Sequence, residues 1–349
     1  MPKTISGYSI SPAISATSVF IVLSYIGLAV APTKYVFATL SNVCYLSAGF
    51  YRELASLTKQ HSAAQLVGQL GGGSLVLVLI GASSFAYHRE TMLSSPAHTL
   101  DILFGWVLVS HVLYVCFSVS SLGLLRQLLP EHLDDIGLQL LRATLSLCML
   151  VTFVFLMAFY NTIYRNQELL YFTLGPAAAL AGGACRFLLV RSEGALSWHA
   201  VAIAVVEVVV VLTATVAAIV SQGELLGRQL TAESTPREYD FFHGQWHYLL
   251  ATVTSLLYSR AADAARVVRG SHEVCVCTLP RLDWAALALL FAYSVAVIVV
   301  KEAAVHIDAA IAALSVVASS FTVHGVAVAC MWATGGDRVR TKSRLLAPL

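Results

Sequence analysis

Charged side chains are scarce in this chain of 349 residues: Asp, Glu, Lys and Arg together make up 11% of it. A soluble domain carries about 25% charged residues. Hydrophobic residues make up 58%, and the mean hydropathy is +0.78. Because about 55–60% of any folded surface is already apolar, a soluble globule of this size could not hide the remainder. The scarcity of charge excludes a soluble globular protein and predicts lipid as the solvent for much of the chain.

The sequence also lacks a dense basic patch and a disulfide framework. Its net charge is +2, from 21 basic and 19 acidic residues, and the basic residues are scattered over helix ends and short loops. This distribution argues against a nucleic-acid partner. The seven cysteines are an odd number without framework spacing. Those inside apolar runs are interpreted as small buried hydrophobic residues: Cys44, Cys116, Cys148, Cys185 and Cys330.

Long apolar runs are what the sequence has in abundance. A helix needs about 20 mostly apolar residues to span a bilayer. Runs of this kind lie at 12–32, 35–56, 70–88, 98–120, 139–161, 169–190, 198–220, 240–260, 284–300 and 306–332. The sequence therefore predicts an all-α, multi-pass transmembrane helical bundle of about ten spans.

The distribution of basic residues predicts the orientation of this bundle. With the N-terminus placed in the cytoplasm, 15 of the 21 basic residues fall on the cytoplasmic side, as the positive-inside rule requires. Both termini are therefore predicted to be cytoplasmic, in the plasma membrane or a secretory-pathway membrane. Ala29-Val30-Ala31 would suit signal-peptide cleavage, but the long apolar run and the single preceding lysine favour a retained first helix.

Two polar clusters interrupt the apolar runs. Ser84 and His88 end the third run, and Asp101 follows early in the fourth; His243 and His247 begin the eighth. Residues four apart lie on one helical face, so the two histidines of the eighth run can aim their imidazole nitrogens at one point, as in helical zinc sites. In the predicted topology all three helix ends lie at the same, non-cytoplasmic, membrane face.

These five residues predict a Zn²⁺ site with hydrolytic chemistry. His88, His243 and His247 would bind the metal and leave one coordination position open, as in catalytic zinc sites. The metal would supply hydroxide as the nucleophile and polarise a carbonyl group. Asp101 would move the proton or orient a histidine, and Ser84 would hold the water or stabilise the oxyanion. The alternative is that the histidines are only polar tips at headgroup depth.

The same residues resemble the CREST superfamily of seven-helix membrane hydrolases, which includes alkaline ceramidases, GPI-lipid remodelling proteins and the progestin and adiponectin receptors. That pattern is a Ser and a His four apart, an Asp on the next helix, and HxxxH on the last helix. The closest resemblance is to the myomaker-like branch, through Tyr87-His88, 98–103, 164–176 and 239–251. It implies zinc-dependent hydrolysis of a lipid amide or ester, although some members are regarded as membrane-remodelling, fusion or receptor proteins.

The resemblance covers about 35–260, and the chain, with an extra N-terminal helix and a C-terminal hairpin outside that core, is predicted to have four parts. They are an N-terminal transmembrane helix at 1–33, a seven-helix core at 34–262, a cytoplasmic loop at 263–283, and a C-terminal transmembrane hairpin with a basic tail at 284–349. Membrane lipid would be both solvent and possible substrate. No protein partner can be named from these patterns.

A transporter is the remaining alternative, and it depends on Glu207. This carboxylate stands alone in the apolar run 198–220, and ionisable groups inside lipid are functional hypotheses by default. A buried helix–helix hydrogen bond is the other interpretation. Against the transporter, the chain has no paired broken helices in two matching halves.

Overall fold

The computed structural model describes residues 36–46, 48–49, 73–90, 96–128, 167–192, 196–268 and 280–317, with isolated positions between 144 and 159. Its helices are α1 (Val36–Ser41), α2 (Gly73–Glu90), α3 (Pro96–Leu128), α4 (Gln167–Ser192), α5 (Ser197–Ser221), α6 (Pro236–Val268), α7 (Pro280–Glu302) and α8 (Ile307–Val317). These residues contain no strand, so the all-α prediction is confirmed for them. The predicted span 12–32 and most of 139–161 lie outside the described residues.

Three helical stretches are long and apolar enough to cross a membrane: Pro96–Leu124, Leu174–Ser192 and Ser197–Ser221. Large apolar side chains project outward from this part of the chain, for example Leu180, Trp198 and Val205. Contiguous exposed apolar surface of this kind suits contact with lipid. Helices able to span a membrane are therefore confirmed at these three places, while the total of ten spans and the seven-helix core stay predictions.

Two helices are longer than the apolar runs that predicted them. α3 continues to Leu128, and α6 continues to Val268, past the predicted boundary at 262. Residues 261–268 are polar in part but rich in alanine, a strong helix former. The position at which hydropathy falls therefore gives the end of the apolar run but not the end of the helix.

The helix that carries HxxxH lies at the centre of the bundle. α6 packs against α1, α3, α4 and α5, and nearly every residue from Asp240 to Ala264 is buried or almost so. Small residues allow this close packing, because a Cβ atom on Gly182 would collide with Leu257 of α6, and one on Gly183 with Val208 of α5. The predicted site is therefore held by the most enclosed helix of the described bundle.

Candidate metal centre

Three histidines converge where α2 and α6 meet. His88 lies in the last turn of α2, and His243 and His247 lie one turn apart on the facing side of α6. Their ligand nitrogens all lie within 4.8 Å of one another, and all three side chains are buried. The ring centroids are 4.8 Å apart for His88 and His243 and 5.0 Å apart for the other two pairs. The structure therefore gathers the three predicted ligands into one cluster.

Unpartnered nitrogens in this cluster suit a metal ion. His88 Nε2 and His243 Nδ1 are buried and have no hydrogen-bond partner among the described residues. An unsatisfied buried polar atom costs about 1–3 kcal/mol, and a missing ion is one of the standard explanations for it. Three imidazoles are also a common ligand set for zinc. The donor set and the orphaned atoms therefore fit a metal ion held by these three residues.

Ser84 and Asp101 lie beside the histidines. Ser84 Oγ is 3.4 Å from His247 Nε2, and Ser84 and Asp101 line the same cavity as His243 and His247. The predicted four-residue spacing places Ser84 one turn before His88 on the same face of α2. All five predicted residues are thus brought together by three helices, while their roles stay predictions.

The cluster opens into a polar cleft enclosing about 790 Å³. Its walls include Asp101 and Glu224 and several aromatic rings, but no Lys or Arg among the described residues. A second, apolar cavity of about 490 Å³ lies between α3, α4, α5 and α6. The two cavities share the wall residues Tyr171, Trp246 and Leu250. A polar space next to the histidines therefore adjoins an apolar space inside the bundle.

The segment between α5 and α6 closes one side of the polar cleft. Gln222 and Glu224 line the cleft, and the Tyr239 hydroxyl donates to Glu224 at 3.0 Å. α7 holds this segment from outside, because Glu302 accepts hydrogen bonds from the backbone N–H of Arg228 at 2.9 Å. Gly227 beside it has φ +74°, and a Cβ atom there would collide with the Glu302 carboxylate. The segment and α7 therefore fit together only with glycine at this position.

Lys301 also holds this segment. Its ammonium donates to the Leu226 carbonyl at 3.2 Å. Desolvation by burial lowers the pKa of Lys301, and the neighbouring Glu302 carboxylate opposes that shift. α7 also contacts α6, the helix that carries HxxxH, because the Tyr293 hydroxyl donates to Gln245 Oε1 at 2.5 Å. A helix outside the predicted seven-helix core therefore supports both the cleft and the HxxxH motif.

Sequence reasoning missed two residues that support the cluster. The Ser41 hydroxyl lies 2.8 Å from His247 Nδ1, and the Asp240 carboxylate accepts hydrogen bonds from two backbone N–H groups of α1. Asp240 precedes His243 by three positions, so helical spacing could have placed it on the same face. No local signal could have found Ser41, because it lies 206 positions from its partner.

Glu207 lies in a separate cluster and is paired on both sides. Its Oε1 is 2.8 Å from Arg260 Nε and its Oε2 is 3.4 Å from Arg186 Nε, and all three residues are buried. A carboxylate between two guanidinium groups holds α4, α5 and α6 together. This geometry agrees with the helix–helix interpretation of Glu207 and gives no support to a transport site.

Comparison of the chain with protein-family models, with curated proteins and with solved structures finds no match. Membership of the CREST superfamily therefore stays a prediction that depends on the motif residues, which the fold brings into one place.

Proposed function

We propose that this protein is a zinc-dependent membrane hydrolase acting on a lipid amide or ester. The observation that carries the proposal is the convergence of three buried histidine side chains, two of which have an unpartnered ring nitrogen, beside Ser84 and Asp101. Three protein ligands are what a catalytic zinc site uses, because a structural site is closed by four.

Each residue then has a distinct role. His88, His243 and His247 would hold the ion, which when bound makes a nucleophile available from water near neutral pH and polarises a carbonyl group. Asp101 lies in the same cleft and accepts the proton that the water gives up. Ser84 donates a hydrogen bond to the oxygen on which negative charge develops. The aromatic walls limit access of bulk water, which strengthens these electrostatic interactions.

The shapes and charges of the two cavities favour a lipid with an uncharged linkage. A lipid can place its polar group in the cleft and direct an acyl chain towards the adjoining apolar cavity, with which the cleft shares Tyr171, Trp246 and Leu250. The described wall residues of the cleft include the carboxylates Asp101 and Glu224 but no Lys or Arg to pair with an anionic headgroup. Amides and esters fit this environment better than phosphate esters do.

Metal content is the first test of the proposal. Wild-type protein purified in detergent should contain about one zinc per chain by mass spectrometry, as the three-ligand geometry indicates. His243→Ala and His247→Ala should both lose it. His111→Ala is the matched control, because His111 hydrogen-bonds to Tyr258 and not to the cluster, and it should keep the metal. Well-folded wild-type protein without metal would refute the hydrolase.

Lipid turnover separates the proposal from its alternative. Wild-type protein in vesicles should cleave a member of an amide and ester lipid panel, and Asp101→Asn should abolish cleavage while keeping the metal. Bound metal with no cleavage of any lipid would instead favour a non-catalytic, myomaker-like remodelling or receptor protein.

A further inference from the structure

The two nitrogens of His247 face different partners. Nε2 lies on the cleft side, 3.4 Å from Ser84 Oγ, and Nδ1 lies on the opposite side of the ring, 2.8 Å from Ser41 Oγ. Only one of these nitrogens carries the proton in a neutral imidazole. The hydrogen bond of one nitrogen therefore decides whether the other can bind a metal.

The hydroxyl proton of Ser41 already has an acceptor. It is directed to the backbone carbonyl of Ala38, one turn earlier in α1, at 3.1 Å. A serine hydroxyl has one proton and two lone pairs, so towards His247 the Ser41 oxygen acts as an acceptor. The proton of this hydrogen bond then belongs to Nδ1 of His247, and Nε2 keeps its lone pair on the cleft side.

Hydrogen bonds also fix α1 to α6, the helix that carries His243 and His247. The two oxygens of Asp240 accept hydrogen bonds from the N–H groups of Phe37 at 3.0 Å and Ala38 at 2.9 Å. A Cβ atom on Gly244 would lie 3.3 Å from the Phe37 carbonyl oxygen, so glycine allows the close approach. Asp240, Gly244 and His247 are spaced on one face of α6. Ser41 is therefore held in register with His247 by contacts that do not involve a metal.

We propose that Ser41 is a positioning residue of the metal site: its hydroxyl oxygen accepts a hydrogen bond from Nδ1–H of His247 and leaves Nε2 as the atom that binds the metal. The inference rests on the proposed function, because it assumes that the histidine cluster binds metal. It adds a fourth helix, α1, to the three that carry the predicted residues. Partners of this kind around a ligating histidine change metal affinity by about 10–100-fold when they are removed.

The test is a chelator competition with zinc, read by mass spectrometry on full-length protein in detergent. Ser41→Ala should bind zinc about 10–100-fold more weakly than wild type, and Ser41→Thr, which keeps the hydroxyl, should restore most of the affinity. Ser83→Ala is the matched control, since Ser83 is a buried helical serine whose hydroxyl donates to the Ile80 carbonyl of its own helix. It should bind zinc as wild type does.

A second measurement needs no variant. Nitrogen-15 NMR of histidine-labelled, zinc-loaded wild type should show His247 protonated at Nδ1 and coordinated through Nε2. Coordination through Nδ1 would overturn the inference, as would Ser41→Ala with wild-type affinity or Ser41→Thr as weak as Ser41→Ala. Wild-type protein that binds no zinc would overturn this inference together with the proposed function, whereas the other outcomes overturn this inference alone.

Discussion

The two ends of α6 carry two buried polar clusters that differ in how they are satisfied. Near its start, His243 and His247 meet His88, and two of the ring nitrogens have no partner among the described residues. Near its end, Arg260 meets Glu207, which also faces Arg186. His243 and Arg260 are 17 positions apart in one continuous helix, a rise of about 25 Å. The clusters therefore lie almost a membrane thickness apart.

This difference separates a binding site from a structural contact. In the Arg–Glu–Arg cluster, Glu207 lies 2.8 Å from Arg260 Nε and 3.4 Å from Arg186 Nε, so opposite charges attract each other without an added ion. The histidine cluster gathers three buried imidazoles, and two of their nitrogens have no hydrogen-bond partner among the described residues. Such an arrangement is unfavourable alone and favourable around a cation. Burial of polar side chains by itself does not indicate a binding site. Buried polar atoms that converge without hydrogen-bond partners or opposite charges do indicate one.

The largest expected effect is on the charged cluster. Glu207→Ala removes the buried carboxylate that both guanidinium groups face, and we expect the free energy of unfolding to fall by about 3–5 kcal/mol. Denaturant titration in detergent measures it. Glu233→Ala, which removes an exposed carboxylate, should leave the free energy of unfolding within about 0.5 kcal/mol of wild type. If Glu207→Ala unfolded at the same denaturant concentration as wild type, that result would contradict the structural interpretation of Glu207.

A smaller effect is expected at Asp240. Asp240→Ala removes the acceptor for two N–H groups of α1, and loss of such a cap costs about 1–2 kcal/mol. The same denaturant titration measures this loss of stability. Zinc affinity should fall as well, because Ser41 would no longer be held opposite His247. Asp240→Asn keeps one acceptor oxygen and should lose less stability. If Asp240→Ala were destabilised but kept full zinc affinity, the position of α1 would have no influence on the proposed metal site.

The contact between Glu302 and the segment after α5 should contribute less again. Its carboxylate is partly exposed, and exposed ionic contacts are worth about 0.2–1 kcal/mol. Glu302→Gln should therefore change the free energy of unfolding by less than about 1 kcal/mol, yet accelerate proteolytic cleavage within 222–235 because the segment loses its anchor. Unchanged cleavage would show that α7 does not restrain this side of the cleft.

The smallest effect on stability is expected for a metal ligand. Leucine in place of His88 removes an unpartnered nitrogen and keeps much of the volume, so the metal-free protein should unfold within about 1 kcal/mol of wild type. Metal content should nevertheless fall to background by mass spectrometry. If metal-free His88→Leu protein lost as much free energy of unfolding as Glu207→Ala does, the histidines would stabilise the fold rather than bind an ion.

Local spacing explains why the site was predictable. The pairs Ser84–His88 and His243–His247 are four residues apart, and helical periodicity puts each pair on one face whatever the fold. Topology then placed both pairs at one end of the bundle, and the structure brings them together with Asp101. The all-α class followed equally directly from apolar run length.

Contacts between distant segments explain what was missed. Ser41 is one serine in an apolar stretch, and only the packing of α1 on α6 shows that it faces His247. Glu207 was visible as an isolated carboxylate, but its two partners stand at the ends of other helices, where arginine is common. The continuation of α6 to Val268 was missed because hydropathy reports lipid contact, not helix formation.

The long sequence separation of the contacts to His247 has a consequence for biosynthesis. Its partners Ser84 and Ser41 precede it by 163 and 206 positions, and a chain is made and begins to fold from its N-terminus. The earlier helices are therefore synthesised well before α6, which carries two of the three proposed ligands, can join them. In the proposed metal site, uptake would follow the arrival of α6, and the fraction of chains carrying metal would measure the fraction of completed bundles in a preparation.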